Sequence, residues 1–354
     1  MSEKVAAVPI EEMNASVLRA RREIVLERRP VPVPASDEVL IEVSSVGVCG
    51  SDVHYYQEGR IGSFVVDQPL VLGHEAAGRI VAVGSDVDPG RVGSRVAIEP
   101  QKPRLNSPES LSGRYNLDPH MEFYATPPVD GAFQQYVTIQ SHFAFDVPDS
   151  VSDNAAALLE PLSVAIATAR KAGFTVGSRV LIAGAGPIGI VTAQVARAYG
   201  AAEVIISDLD EQRRERALQF GATRALDPRS DRIGELGLEV DSFIDASGAI
   251  PAVQSGIREV RAGGTVVLVG MGADEVPLPV PVIQNKELVL TGIFRYTNTW
   301  PTAIELVRSG KVDLDSMVTS EFALDQAEEA LRAATDPAGL KAVVHPQSLA
   351  GAEA

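Results

Sequence analysis

Cysteine is nearly absent from this chain. Cys49 is the only one among 354 residues, so an internal disulfide is excluded and a reducing, cytoplasmic compartment is expected. No apolar run reaches the roughly 18 residues that a membrane helix needs. The opening Met1-Ser2-Glu3-Lys4 leads into no apolar core with a cleavage site, and no secretory leader is expected. Positive charge is short as well: 31 Lys and Arg stand against 47 Asp and Glu, a net charge of −16. A phosphate backbone or an anionic membrane would be repelled by such a chain, which argues against either as a partner. Internal repeats and low-complexity segments are missing too. What remains is a globular composition, 45% hydrophobic, in a chain too long for one ordinary core, so two domains are expected.

The one cysteine sits in Gly47-Val48-Cys49-Gly50-Ser51-Asp52, and a His-Glu pair follows in Leu72-Gly73-His74-Glu75-Ala76-Ala77-Gly78. A thiolate, an imidazole and a carboxylate leave a tetrahedral zinc with one vacant position, which separates a catalytic site from a closed structural one. The residues alone leave a second reading open: a lone Cys is usually a small buried hydrophobe, and an isolated His a satisfied core residue. Glycines on both sides of Cys49 and of the His-Glu pair favour the metal, because tight turns there could aim the side chains into a shared space.

After a proline-punctuated segment, Arg29 to Pro34, the alternation in Glu38-Val39-Leu40-Ile41-Glu42-Val43 predicts a half-buried strand. Gly78 to Val83 and Val92 to Ile98 read similarly across the turn-rich Gly84 to Gly90. Short strands with glycine turns predict a β-rich domain before about residue 150. Within it, residues 101–122 carry Pro103, Pro108, Gly113 and Pro119 and read as a surface loop. From Asp153, the expected N-cap, the pattern turns helical through an alanine-rich stretch to Ala172.

Next comes a short apolar strand, Arg179 to Ala183, then Gly184-Ala185-Gly186-Pro187-Ile188-Gly189 and an amphipathic helix. A lone glycine turn is weak evidence. Here it opens a helix directly after a strand, and Asp208 ends the next strand about twenty residues on, which is the context a dinucleotide fingerprint requires. Gly184 permits the tight turn, Gly186 lets the backbone approach a pyrophosphate, and Gly189 lets helix and strand pack closely. Asp208 can accept both ribose hydroxyls and would repel a 2'-phosphate, so NAD is expected over NADP; its other reading is an N-cap for the helix Glu211 to Phe220. Further strands at Ser242 to Asp245, Thr265 to Gly270 and Glu287 to Gly292 predict a doubly wound parallel sheet over Leu162 to Arg295. The tail, residues 296–354, is expected to return to the first domain.

The order of these motifs, with Glu160-Pro161-Leu162-Ser163 and Phe294-Arg295-Tyr296, resembles the zinc-dependent medium-chain dehydrogenases, and among them the sorbitol and xylitol dehydrogenases. The most telling pieces are His54-Tyr55-Tyr56, Gly113-Arg114-Tyr115-Asn116-Leu117, Ala125 to Gly131 and Arg295 to Trp300. The resemblance covers nearly the whole length. It implies an α/β protein with a GroES-like β-rich catalytic domain (residues 1–161 and 296–354), a Rossmann domain (162–295), a site between them, and a homotetramer.

Matched residue by residue, the resemblance puts Cys49, His74 and Glu75 on a catalytic zinc, with Glu160 close to the metal. Tyr55, Arg295 and Tyr296 match polyol-contacting positions. Ile188, Asp208, Arg213, Val269, Gly270, Met271, Ile293, Phe294 and Arg295 join Gly184, Gly186 and Gly189 around NAD. Ser51 and His54 match a proton relay. One departure is plain: where many members place four cysteines around a second zinc, this chain has Arg104, Ser107, Ser110 and Asp118. That loop is expected to bind no zinc and to be held by hydrogen bonds or ion pairs. The activity implied is oxidation of a secondary hydroxyl of a small sugar alcohol, with L-idonate or L-threonine dehydrogenase, or a non-catalytic binding protein, as the alternatives.

Overall fold

The computed structural model describes residues 11–351, and the opening Met1 to Lys4 lies outside them. The alternation beginning at Glu38 runs on to give the ten-residue strand Glu38–Gly47. Its Val39, Ile41, Val43 and Val46 are fully buried, as a strand covered on one face requires. It lies in a seven-stranded sheet ordered Ala144–Asp146, Arg95–Ile98, Glu75–Val83, Glu38–Gly47, Lys341–His345, Val318–Ala323, with Tyr136–Gln140 also pairing to it. Gly47 is the register point: it stands opposite Glu75 on one side and Val343 on the other. A Cβ there would come within 2.1 Å of Glu75 Oε2, so only glycine lets that carboxylate cross the strand end.

The second sheet has six parallel strands in the order Arg224–Leu226, Glu203–Ser207, Arg179–Ala183, Val240–Asp245, Val260–Leu268, Val289–Gly292. In sequence terms this is 3-2-1-4-5-6, the arrangement that opens a dinucleotide crevice at the strand reversal. The alanine-rich helix Leu159–Ala172 packs on the helix Pro187–Ala198 and brings the two sheets against one core.

Two expectations shift, and the alternative reading of Asp208 falls. The helix Trp300–Arg308 packs on Leu159–Ala172 and places Trp300, Ala303 and Leu306 in the core shared by the two sheets, so the tail rejoins the first sheet only with Val318–Ala323. The N-cap is Ser152, whose Oγ accepts from Ala155 N, and Asp153 is the first helical residue. Asp210, not Asp208, caps Glu211–Gln219 by accepting from Arg213 N at 2.9 Å. Among the described residues no helix is long and apolar enough to cross a membrane.

Candidate active site

Cys49 ends the turn after Gly47 and stands at the N-terminus of the helix Gly50–Glu58, while His74 and Glu75 lie at the start of the neighbouring strand. Register therefore delivers the three side chains to one point: one ligand atom from each lies within 4.8 Å of the others. Asp52 clasps the two segments. Its Oδ2 accepts from Cys49 N and its Oδ1 from Gly73 N, each at 2.9 Å, and Oδ1 faces His74 Nδ1 at 3.7 Å. Burial alone would lower the His74 pKa, but the Cys49 and Asp52 charges outweigh it and raise it.

Lys341 Nζ donates to Glu75 Oε1 at 2.5 Å and to Val48 O at 2.8 Å. Glu75 Oε2 is left buried with no partner among the described residues. An unpaired carboxylate oxygen beside a thiol and an imidazole is the donor set and the deficit that a zinc ion would satisfy.

Glu160, 5% exposed, comes from the first turn of Leu159–Ala172 and accepts a hydrogen bond from Tyr296 Oη at 2.9 Å. Burial pushes its carboxyl up, with Glu75 adding to the effect and His74 opposing it. The Arg295 guanidinium lies 4.0 Å from the centre of the Phe123 ring, whose other neighbour is His74 at 5.5 Å. Phe123 thus joins the metal-type cluster to the arginine. Tyr55 is buried, and that burial raises its pKa, with His74 and Arg295 working against it.

The glycine turn forms the cofactor-type groove. Gly184 has φ of +97°, and a Cβ on Gly189 would meet Gly184 O at 1.8 Å, so the helix approaches the strand as only glycine permits. Gly186 caps Pro187–Ala198 with open space above it. Asp208 accepts from Ala185 N at 2.8 Å and from Asp210 N at 2.9 Å, which fixes its carboxylate at the rim of a 450 Å³ groove shared with Gly184, Leu209 and Arg229. Val269 N and Gly270 N both donate to Asp245 O. Met271 brings its Cε to 4.0 Å from where a Cβ on Gly50 would stand. That brings the segment after Val260–Leu268 beside the N-terminus of the helix that follows Cys49.

Two family models match the chain: the alcohol dehydrogenase GroES-like domain over residues 35–149 and the zinc-binding dehydrogenase domain over 187–309. A sorbitol dehydrogenase of Bacillus subtilis (strain 168) is 44% identical over 345 residues, 95% of this chain and 98% of that protein. The chain belongs to the zinc-binding medium-chain dehydrogenases. Among solved structures, L-idonate 5-dehydrogenase from Escherichia coli str. K-12 superposes with a TM-score of 0.89 at 29% identity, covering 94% of this chain and 98% of that one. A zinc-binding dehydrogenase from Sinorhizobium meliloti 1021 bound to NADP gives 0.88 at 30%, covering 95% and 99%. Zinc and a nicotinamide cofactor follow from membership of the family.

In this dehydrogenase Ile188, Arg213, Val269, Gly270 and Ile293 are partly buried, and Met271 and Phe294 are exposed. Arg213 Nε reaches Pro337 O at 3.5 Å. Ser51 is partly buried and His54 exposed on the same helix, with no hydrogen bond between them. In the cysteine-free loop Asp118, 4% exposed, accepts from Arg104 N and from His120 N at 3.1 Å, while Ser107 Oγ donates to Ser110 Oγ at 3.0 Å. Four positions expected from the resemblance alone are thus joined by side-chain and backbone hydrogen bonds.

Sequence reasoning missed Asp52, Lys341, Phe123 and Glu99. A lysine inside the apolar run Leu340-Lys341-Ala342-Val343-Val344 was the one visible signal, since a charge buried in a strand calls for a partner.

Proposed function

We propose that the chain oxidises a secondary hydroxyl of a sugar alcohol, of the sorbitol or xylitol type, to the ketose, with hydride passing to NAD. The observation that carries this reading is the Tyr296–Glu160 hydrogen bond beside the Cys49, His74 and Glu75 cluster, with Arg295 across Phe123. A polyol offers many hydroxyls and little apolar surface, and a guanidinium, two phenols and a carboxyl are donors and acceptors for it. The 44% identical relative carries the name sorbitol dehydrogenase, which supports the same substrate class.

Cys49, His74 and Glu75 would hold one zinc, with Glu160 alongside. Bound there, zinc supplies a Lewis acid that lowers the pKa of a hydroxyl. NAD supplies the hydride acceptor. The protein's own groups do the rest: Tyr296 and Glu160 orient the reacting hydroxyl, Arg295 and Tyr55 hold the remaining ones, and Ser51 and the exposed His54 are the relay that passes the proton outward.

Asp208 supports NAD, because its fixed carboxylate would meet a 2'-phosphate with like charge, although a 30% identical neighbour binds NADP. The hydrogen-bonded loop at Asp118 supports a single zinc per chain. A homotetramer fits the open edge of Val289–Gly292, where Val289 is 56% exposed. A sole thiol used as a metal ligand fits the cytoplasm.

The test is NADH formation from a panel of sugar alcohols, L-idonate, L-threonine and simple secondary alcohols, with and without a zinc chelator. Chelator-sensitive turnover of polyols is expected. Turnover confined to an acid would move the assignment to the L-idonate type, and no turnover with zinc bound would point to a binding protein.

A further inference from the structure

Arg295 holds a backbone φ of +57° and Asn298 one of +51°. Non-glycine residues persist in that region only where surrounding contacts fix them. Three of those contacts come from the first domain. Asn116 Nδ2 donates to Phe294 O at 2.6 Å, Gln101 Nε2 donates to Tyr296 O at 3.0 Å, and Asn298 N donates to Tyr115 Oη at 2.8 Å. Two of the three groups converge on one atom: Tyr115 Oη donates to Glu99 Oε1 at 2.7 Å, and Gln101 Nε2 donates to the same oxygen at 2.9 Å. Glu99 is fully buried and touches neither the metal-type cluster nor the cofactor groove through any hydrogen bond.

Burial pushes the Glu99 carboxyl up to about 8, against the pull of the Tyr115 and Gln101 hydrogen bonds. At neutral pH the group is therefore mostly the uncharged acid. Oε1 accepts both hydrogen bonds, and Oε2 has no partner among the described residues.

We infer that Glu99 is a positioning residue for substrate: through Tyr115 and Gln101 it fixes the backbone of residues 295–298 and so holds Arg295 on Phe123 and Tyr296 on Glu160, beside the Cys49, His74 and Glu75 cluster. This rests on the polyol reading for its kinetic arm only. The carboxyl acts as a neutral acceptor, so an amide of the same shape replaces it and a methyl does not.

The experiment compares Glu99→Gln, Glu99→Ala and Tyr115→Phe by hydrogen exchange over residues 293–299, zinc content, and kinetics on a polyol and on a simple secondary alcohol. Loss of one such anchor is expected to raise the polyol KM about tenfold in Glu99→Ala and Tyr115→Phe. The simple alcohol changes far less, zinc content holds, and the Asn298 amide exchanges faster. Glu99→Gln stays within about twofold of wild type on every readout. Unchanged exchange at Asn298, equal losses on both alcohols, or a glutamine variant as impaired as the alanine one overturns the inference. Should Glu99→Ala fail to fold, Tyr115→Phe and Glu99→Gln decide it. A wild type inactive on every polyol defeats the proposed substrate, while the exchange readout still decides the role of Glu99.

Discussion

Lys341 and Glu75 form an ion pair of 2.5 Å inside the protein, with 3% and 1% of their side chains exposed. They lie 266 residues apart, so the tail that closes the first sheet also supplies the counter-ion of the metal-type cluster. The pair holds Oε1 of the carboxylate and leaves Oε2 unpaired.

Removing the lysine strands that carboxylate. Lys341→Met is expected to destabilise the metal-free protein by about 3–5 kcal/mol, the usual result of leaving one partner of a buried pair alone. Urea unfolding in the presence of chelator measures it. Adding Glu75→Gln in the same chain should recover most of the loss, and a single-variant loss under about 1 kcal/mol would show the pair to be stabilising little.

Cys49→Ser removes a ligand without touching the glycine turn at Gly184. Bound zinc per chain should fall steeply and turnover with it, while NADH affinity by fluorescence titration stays within about twofold. A variant that keeps its full zinc content would take Cys49 out of the metal site.

At the groove rim, Asp208→Ala deletes the acceptor for Ala185 N and the negative charge together. The KM for NAD is expected to rise about tenfold or more, and the preference for NAD over NADP in kcat/KM to narrow. An unchanged ratio would remove Asp208 from ribose recognition.

Glu99 gives stability a pH dependence whose sign is fixed by the raised carboxyl. Unfolded, the group titrates near its ordinary value of 4.5; folded, near 8. Between those values the native state holds the proton that the unfolded chain has released, so stability falls as pH rises, by up to about 1.4 kcal/mol per unit. The acid's contribution is whole below pH 4.5 and is lost as pH passes 8. Glu99→Gln has no such titration. Its melting temperature should gain on wild type steadily from pH 5 to pH 8, and parallel profiles would show that Glu99 titrates normally.

Local signals carried well from sequence to structure. Gly184, Gly186 and Gly189 were legible because their requirement is set within six residues: a left-handed turn and a helix pressed against Gly184 O. The Cys49, His74 and Glu75 cluster was legible because paired strands bring Gly47 opposite Glu75. Lys341, Phe123 and Glu99 were not, since each matters through groups distant in the chain: Glu75, then Arg295, then the backbone of Tyr296 and Asn298 reached through Gln101 and Tyr115. A buried glutamate and a surface one look alike in a sequence. The cap expected at Asp153 falls one residue earlier, on Ser152, because only backbone geometry chooses between neighbouring residues that could both serve.

Cys49 is half-buried and alone in its chemistry. An alkylating reagent therefore counts metal-free sites one for one, and protection from it reads zinc occupancy with no substrate present. Thiol oxidation becomes an event at one sulfur atom, reversible while that sulfur stops at the sulfenic stage, and no internal disulfide holds the fold for a reductant to undo.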